Sequence, residues 1–248
     1  MVTPSVVVTI ARRFVGPPTS GNGGYTAGLL AEHVPHAPDQ PVTVTLRRPP
    51  PLETPLRVMP PSGSGSQDAL TLLLDGDAVV AEAGPGEFAA AAVEPVTPAA
   101  AHAAESSYEG LRTHPFPTCF VCGTERAAGD GLRLAPGPIA AGLTACVWTP
   151  DASLVDASGR IPEHFVWAAL DCPSAWTSDL ETRPVVLGRL TARCDSPVSV
   201  GTPYVVVARL LKEQGRKTFT ASALYDAAGV LVARAEHVWI AIDPADFA

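Results

Sequence analysis

The stretch Ile161–Trp176, IPEHFVWAALDCPSAW, decides how the rest of the chain is read. It reads as a largely apolar helix in which one carboxylate, Asp171, sits among two tryptophans and small residues. An acid in that setting has two readings. Either it is a helix-end residue near Pro173 that bonds backbone or faces water, or it is a catalytic base held in a dry pocket. An earlier stretch, Gly21–Ala31, GNGGYTAGLLA, reads as the matching helix of a related first half. The two helices are expected to share one active site.

The 248 residues suffice for one large domain or two smaller ones, each able to bury a core. Apolar residues make up 46% and charged residues 17%, a globular balance. The net charge of −8, with no basic cluster, argues against nucleic acid or an anionic membrane as partner. No apolar run approaches the roughly 18–20 residues of a membrane span. The opening MVTPSVVVTIARRF reads as a first strand, without an export pattern. Five scattered cysteines argue against a disulfide framework, and the cytosol is the expected compartment.

In chain order, strands are expected at Ser5–Ile10, Pro41–Arg48, Leu56–Met59, Ala69–Leu74, Ala78–Ala83 and Glu87–Val96, with a helix at Tyr25–His33 capped by Asn22. Asp75-Gly76-Asp77 marks a hairpin, and PPSGSGSQ (60–67) a flexible turn. Thr97-Pro98 opens an Ala-rich connector helix ending at Gly110. Strands follow at Gly131–Leu134 and Leu143–Trp148, then the helix Ile161–Trp176. Further strands are expected at Val185–Cys194, Tyr204–Lys212, Lys217–Tyr225 and Leu231–Ile242. The halves also match by letter. Thr43, Pro49 and Thr54-Pro55 recur as Thr191, Pro197 and Thr202-Pro203, an offset of 148. Val80-Ala81 recurs as Val232-Ala233 at 152, and Leu30 as Leu170 at 140. Collinear order in three places indicates an internal duplication. The expected organisation is residues 1–96, a helical linker 97–113, and residues 114–248.

A long helix followed by a meander of strands resembles the hotdog fold. Cys119-Phe-Val-Cys122-Gly123 with Gly131-Leu132-x-Leu134 is similar to the opening of phenylacetyl-CoA-type thioesterases. Ala169-Leu170-Asp171, Pro197, Gly215-Arg216-Lys217 and Asp226-x-x-Gly229 follow in that family's order. Asn22-Gly23-Gly24-Tyr25 through Pro49 resembles a first half-domain of double-hotdog proteins. The resemblance implies an α+β fold of two tandem hotdog domains, each a curved antiparallel sheet wrapped round one helix. It implies an acyl-CoA thioesterase. The substrate would be an acyl-CoA or acyl-carrier-protein thioester, with coenzyme A as part of the substrate and no other cofactor. It also leaves room for a dimer of double hotdogs.

Family members carry His-Gly-Gly at the helix start and an acid nine residues after that His. Here each half keeps one element. Asn22-Gly23-Gly24 has Ala31 where the acid belongs, and Asp171 has Pro162-Glu163-His164 where His-Gly-Gly belongs. The resemblance therefore implies one composite site, Asn22-Gly23-Gly24 opposite Asp171, and a dead mirror site at Pro162–His164 opposite Ala31. Glycine amides at a helix N-terminus suit a developing oxyanion, because they are unpaired and carry no Cβ. Asp171 would act as general base on water or as nucleophile. Asn22 either orients the carbonyl or caps the helix.

Other residues keep two readings each. Tyr25 follows the glycines and is placed at the substrate. His164, two turns before Asp171, lines the pocket or is a buried histidine; Trp167 walls the acyl pocket or packs the core. Arg216 and Lys217 meet coenzyme A phosphates or form a solvated turn, and Arg47 and Arg48 share that ambiguity. Cys119 and Cys122 have zinc spacing, but with no second such pair they are read as buried thiols, and no metal is expected. The Thr and Gln that accompany the Asp in better-known double-hotdog acyl-CoA thioesterases have no counterpart; Glu236 and His237 stand in that region. The rival readings are a non-catalytic acyl-thioester binder and a hotdog hydratase or dehydratase.

Overall fold

The computed structural model describes residues 6–61 and 70–243. Most of the expected 60–67 turn lies outside the described residues, as do Ser5 and Ala69 at the ends of expected strands. Among the described residues there are three α-helices: α1 (Gly23–Ala31), α2 (Pro98–Glu105) and α3 (Glu163–Ala175). The first half contributes β1 (Val6–Thr9), β2 (Val42–Leu46), β3 (Pro55–Met59), β4 (Thr71–Asp75) and β5 (Ala78–Pro85). The second contributes β6 (Gly137–Ala140), β7 (Leu143–Trp148), β8 (Val185–Cys194), β9 (Tyr204–Gln214), β10 (Lys217–Tyr225) and β11 (Leu231–Ala241). All strand pairings are antiparallel, in one sheet ordered β1-β3-β4-β5-β2-β8-β11-β10-β9-β7-β6.

That order is nearly a palindrome. Outward from the centre, β2-β5-β4-β3-β1 is answered by β8-β11-β10-β9-β7, with β6 added at one end. The centre is the β2–β8 pair, where Thr43 lies opposite Thr191 and their hydroxyls meet at 2.8 Å. These residues are equivalent under the 148-residue offset. A two-fold relation between two antiparallel strands puts equivalent residues opposite each other only at its axis, so the duplication is visible in the register. The two modules join edge to edge, and neither central strand keeps an unpaired edge.

Helices α1 and α3 lie together against this sheet, while α2 packs on β6, β7 and β9. Every residue of α3 from Phe165 to Ala175 is buried, which a helix hydrophobic all round requires. The α1–α3 contact is made close by glycine. A Cβ on Gly24 would stand 2.4 Å from Asp171 Cβ, and one on Gly28 2.5 Å from His164 Cα. With no side chain at either position the backbones approach directly. Asn22 caps α1, accepting from Tyr25 N at 2.8 Å, and Thr97 caps α2, as expected. Gly76, at φ 56°, turns the β4–β5 hairpin.

Three expectations about elements are corrected. Residues 87–96 form no strand. Side chains hold this segment over the outer face of the second sheet half. Glu236 accepts from Ala89 N and Ala90 N, the Arg234 guanidinium lies 3.9 Å from the Phe88 ring centroid, and Tyr225 Oη donates to Val93 O. Val93 and Ala101 cover Ala145, Val205 and Ala221 there, so the Ala-rich connector is a lid on a second small core. Helix α2 stops at Glu105 and gives way to a single 3-10 turn at Glu109–Leu111, short of the expected helix to Gly110. Residues 131–134 are no strand either. Leu132 N and Leu134 N bond Phe120 O and Val121 O, tying this segment to the Cys119–Cys122 loop; the edge strand is β6 instead. Among the described residues no helix is long and apolar enough to cross a membrane.

Candidate active site

Asp171 is 1% exposed, on α3 where that helix crosses the start of α1. Its Oδ2 accepts from Gly24 N at 3.1 Å and from Asn22 Nδ2 at 3.1 Å. Its Oδ1 is buried and has no hydrogen-bond partner among the described residues. Such an oxygen is costly to leave unsatisfied, typically about 1–3 kcal/mol. Burial pushes the Asp171 carboxyl up to about 7, while the Gly24 N–H pulls it down. Asn22 serves twice: its Oδ1 caps α1 and its Nδ2 grips Asp171. Of the two roles read in the sequence, the structure has the cap; the other end of the amide is engaged by Asp171.

A cavity of about 250 Å³ opens onto this corner. Asn22, Gly23 and Asp171 form part of its floor, and Leu46, Leu187 and Trp239 are among its apolar walls. Arg47 and Arg48, at the end of β2, also line it. Of the two glycines, Gly24 gives its N–H to Asp171, whereas no hydrogen bond among the described residues engages the N–H of Gly23, which lines the cavity. The expected pair of oxyanion donors is therefore divided. Gly24 positions the acid, and Gly23 has the free amide at a helix N-terminus.

The substrate-binding candidates Tyr25, His164, Trp167, Arg216 and Lys217 do not line this cavity. Tyr25 is buried, its ring stacked on Phe14 with centroids 4.0 Å apart. His164 points to the opposite end of α1, where Nδ1 pairs with Glu32 at 2.7 Å. Trp167 is in the core, and its carbonyl lies where a Gly24 Cβ would fall. Arg216 donates to Ala241 O, and Lys217 is an exposed residue at the start of β10. Of the two basic dipeptides considered for an anionic ligand, it is Arg47-Arg48 that lines the cavity. Glu236 is spent on the 89–90 backbone. His237 is buried, and burial pushes its pKa down to about 3.

The cavity also takes in Cys119 and Cys122, read in the sequence as buried thiols, together with His114, Cys172 and Trp176. Cys172 adjoins Asp171, but nothing in its spacing ties it to Cys119 fifty-three residues earlier; only the fold brings their sulfurs to 3.7 Å.

No family model matches the chain, and no curated protein matches it. Solved structures do. A proposed thioesterase II from Thermobifida fusca YX shares 15% identity, with 98% of this chain and 94% of that one covered at a TM-score of 0.60. A conserved hot dog protein of unknown function from Alicyclobacillus acidocaldarius shares 12%, covering 98% and 95% at 0.60. A proposed thioesterase from Novosphingobium aromaticivorans DSM 12444 shares 13%, covering 96% and 95% at 0.60. The likeness runs from one end of the sheet to the other. With two equivalent helix-and-sheet modules joined at Thr43–Thr191, the chain has a double-hotdog fold.

Proposed function

We propose that the protein hydrolyses an acyl thioester, with Asp171 as general base. The observation that carries this is the unpartnered Oδ1 of a buried carboxylate, held by its other oxygen at the floor of an apolar cavity. Gly24 and Asn22 fix Oδ2, which leaves Oδ1 to take a proton from water as that water attacks the acyl carbon. The tetrahedral intermediate that follows places negative charge on the former carbonyl oxygen. Gly23 N–H, at the positive end of α1, is the donor in reach of that charge. A thiolate leaves, and the acid product departs through the mouth.

The walls suit an apolar acyl group, and the two arginines at the rim suit the phosphates of coenzyme A. A thiol-release assay across a panel of acyl-CoAs tests the reading, with Asp171→Asn beside wild type. Thiol release that disappears in the variant supports it. Turnover that survives moves the chemistry elsewhere. Saturable binding without turnover in wild type assigns the cavity to a non-catalytic acyl-thioester binder. Water addition to an enoyl thioester without thiol release assigns it to a hydratase.

A further inference from the structure

The cysteines of the cavity wall are not used by the chemistry above, and their arrangement is specific. Cys119, Cys122 and Cys172 are all buried, and their three sulfurs lie within 4.8 Å of one another, with Cys119 and Cys172 at 3.7 Å. Four-coordinate zinc with Zn–S bonds of about 2.3 Å needs sulfurs roughly 3.8 Å apart. Buried thiols in an ordinary core are common, but an ordinary core does not aim donors at them. Here Asn22 Nδ2 stands 3.9 Å from Cys119 Sγ and 3.7 Å from Cys172 Sγ, and the Val121 and Cys122 amides donate to Cys119 Sγ.

We propose that Cys119, Cys122 and Cys172 bind one zinc ion as three thiolates, with the fourth position turned to the cavity and taken by water. The loop that brings the first two is built for it. Cys119 N and Gly123 N close successive turns onto Phe116 O and Cys119 O, both at 2.9 Å. A Cβ on Gly123 would fall 2.4 Å from Cys119 O and 2.5 Å from Pro117 O, so only glycine permits the turn. The Cys122 carbonyl is held by Tyr108 Oη at 3.0 Å and by His114 Nε2 at 3.1 Å. His114 is thereby excluded as a fourth ligand, because its Nδ1 already accepts from Phe116 N. Asp171 is excluded as well, since the group whose ligand atoms all lie within 4.8 Å of one another comprises the three sulfurs without its carboxylate. Three buried thiolates without a cation would be prohibitive, and three buried thiols would leave the surrounding N–H donors facing neutral sulfur. The ion would pin the loop entering the second half to α3 one residue beyond Asp171. The site stands on its own geometry, whether or not the cavity hydrolyses thioesters.

The test is a Co2+ titration of full-length protein, reduced and stripped of metal. One equivalent per chain, with thiolate-to-cobalt charge transfer, tetrahedral d–d bands and displacement by Zn2+, is the expected result. Cys172→Ser should weaken binding by at least about 100-fold, while Cys146→Ser, in a buried thiol of β7 outside the cluster, should leave it unchanged. Absence of charge transfer in folded wild type overturns the proposal, and so does undiminished Co2+ affinity in folded Cys172→Ser. Uptake of Cu+ together with refusal of Co2+ and Zn2+ overturns the zinc assignment. The wild-type titration decides even if a serine variant fails to fold.

Discussion

The molecule contains its own control. The corner where α1 begins against Asp171 has a counterpart where α3 begins against Ala31 and Glu32, and each has a cavity. The first is lined by Asn22, Gly23 and the β2 end Leu46–Pro50; the second by Pro162, Glu163 and the matching β8 end Cys194–Val198. The offsets of 140 and 148 superimpose them residue on residue. Asn22-Gly23-Gly24 corresponds to Pro162-Glu163-His164, and Arg47-Arg48 to Asp195-Ser196. At the first corner a capped helix gives amides to a carboxylate. At the second, α3 has no side-chain cap, and His164 reaches Glu32 in a pair near the surface. The second cavity, at about 370 Å³, is the roomier, yet Asp156, Arg160, Glu163 and Asp195 line it. Size therefore does not distinguish them. What does is whether a helix N-terminus remains available and which charge stands at the rim.

The sharpest way to break this comparison is to remove the acid from one corner and from the other. Asp171→Asn keeps the size of the side chain and removes the base. Thiol release should fall by about 100- to 10,000-fold. Glu163→Gln at the mirror corner should change it less than about twofold. Equal losses would mean that the two corners are not functionally different, and the assignment of the site would fail.

A second prediction concerns what only one half carries. His237 lies on β11, and the corresponding position of β5, at the 152 offset, is Pro85. The imidazole protonates near 6.5 in the unfolded chain and only near 3 in the folded one. Between those values the unfolded state binds the extra proton, so this residue's contribution to stability is complete above pH 6.5 and lost as pH falls. The stability of wild type minus that of His237→Leu, from urea unfolding, should decline toward acid by up to about 1.4 kcal/mol per pH unit. Asp171, pushed up to about 7, contributes a slope of the opposite sign over part of this range, common to both proteins and cancelled in the difference. A difference independent of pH would show that His237 is not held neutral by burial.

Glycine 24 and glycine 28 sharpen the comparison within one helix. Both are occluded by α3, but only Gly24 abuts the acid. Alanine at either position forces the helices apart and should cost about 1–3 kcal/mol, or roughly 2–12 °C in melting temperature. Gly24→Ala should also displace Asp171 and reduce thiol release beyond what the stability loss explains, whereas Gly28→Ala, against His164, should not. If both variants keep full turnover at a temperature where they are folded, the Gly24–Asp171 contact is only packing.

How much of this was legible in the sequence depends on whether the signal was local. The caps at Asn22 and Thr97, the Gly76 hairpin and the strands flanking each turn follow from side-chain chemistry within a few residues. The duplication was legible because Thr43 and Thr191, or Leu30 and Leu170, kept the same surroundings through their common origin. The pairing of Asn22 with Asp171 followed from that duplication together with the family resemblance. What stayed hidden was set by contacts distant in sequence. Glu87–Val96 has strand-like residues, but Glu236 and Arg234 claim its backbone before a neighbouring strand can. Arg216-Lys217 and Arg47-Arg48 look alike as dipeptides, and only the sheet order decides which one meets the cavity. Cys172 converges on Cys119 and Cys122 through the α3 crossing, which no local spacing records.

The smallest predicted effect lies at the rim. Arg47 is paired with Glu82, while Arg48, the next residue, makes no ion pair with a described residue. Arg48→Ser installs the mirror corner's residue at the matching position. A solvent-exposed charge meeting a phosphate is typically worth less than about 1 kcal/mol, so KM for an acyl-CoA should rise only about three- to fivefold, with kcat unchanged. The same acyl group on a short thiol without phosphates should show no change in KM. Added salt should erase the difference between wild type and variant, because the contact is screened over roughly 10 Å at 0.1 M. A KM that rises equally for both thioesters would place Arg48 against the acyl portion of the substrate. A KM that rises for neither would leave the rim's charge without a part in recognition, and the two corners would then differ by their helix starts alone.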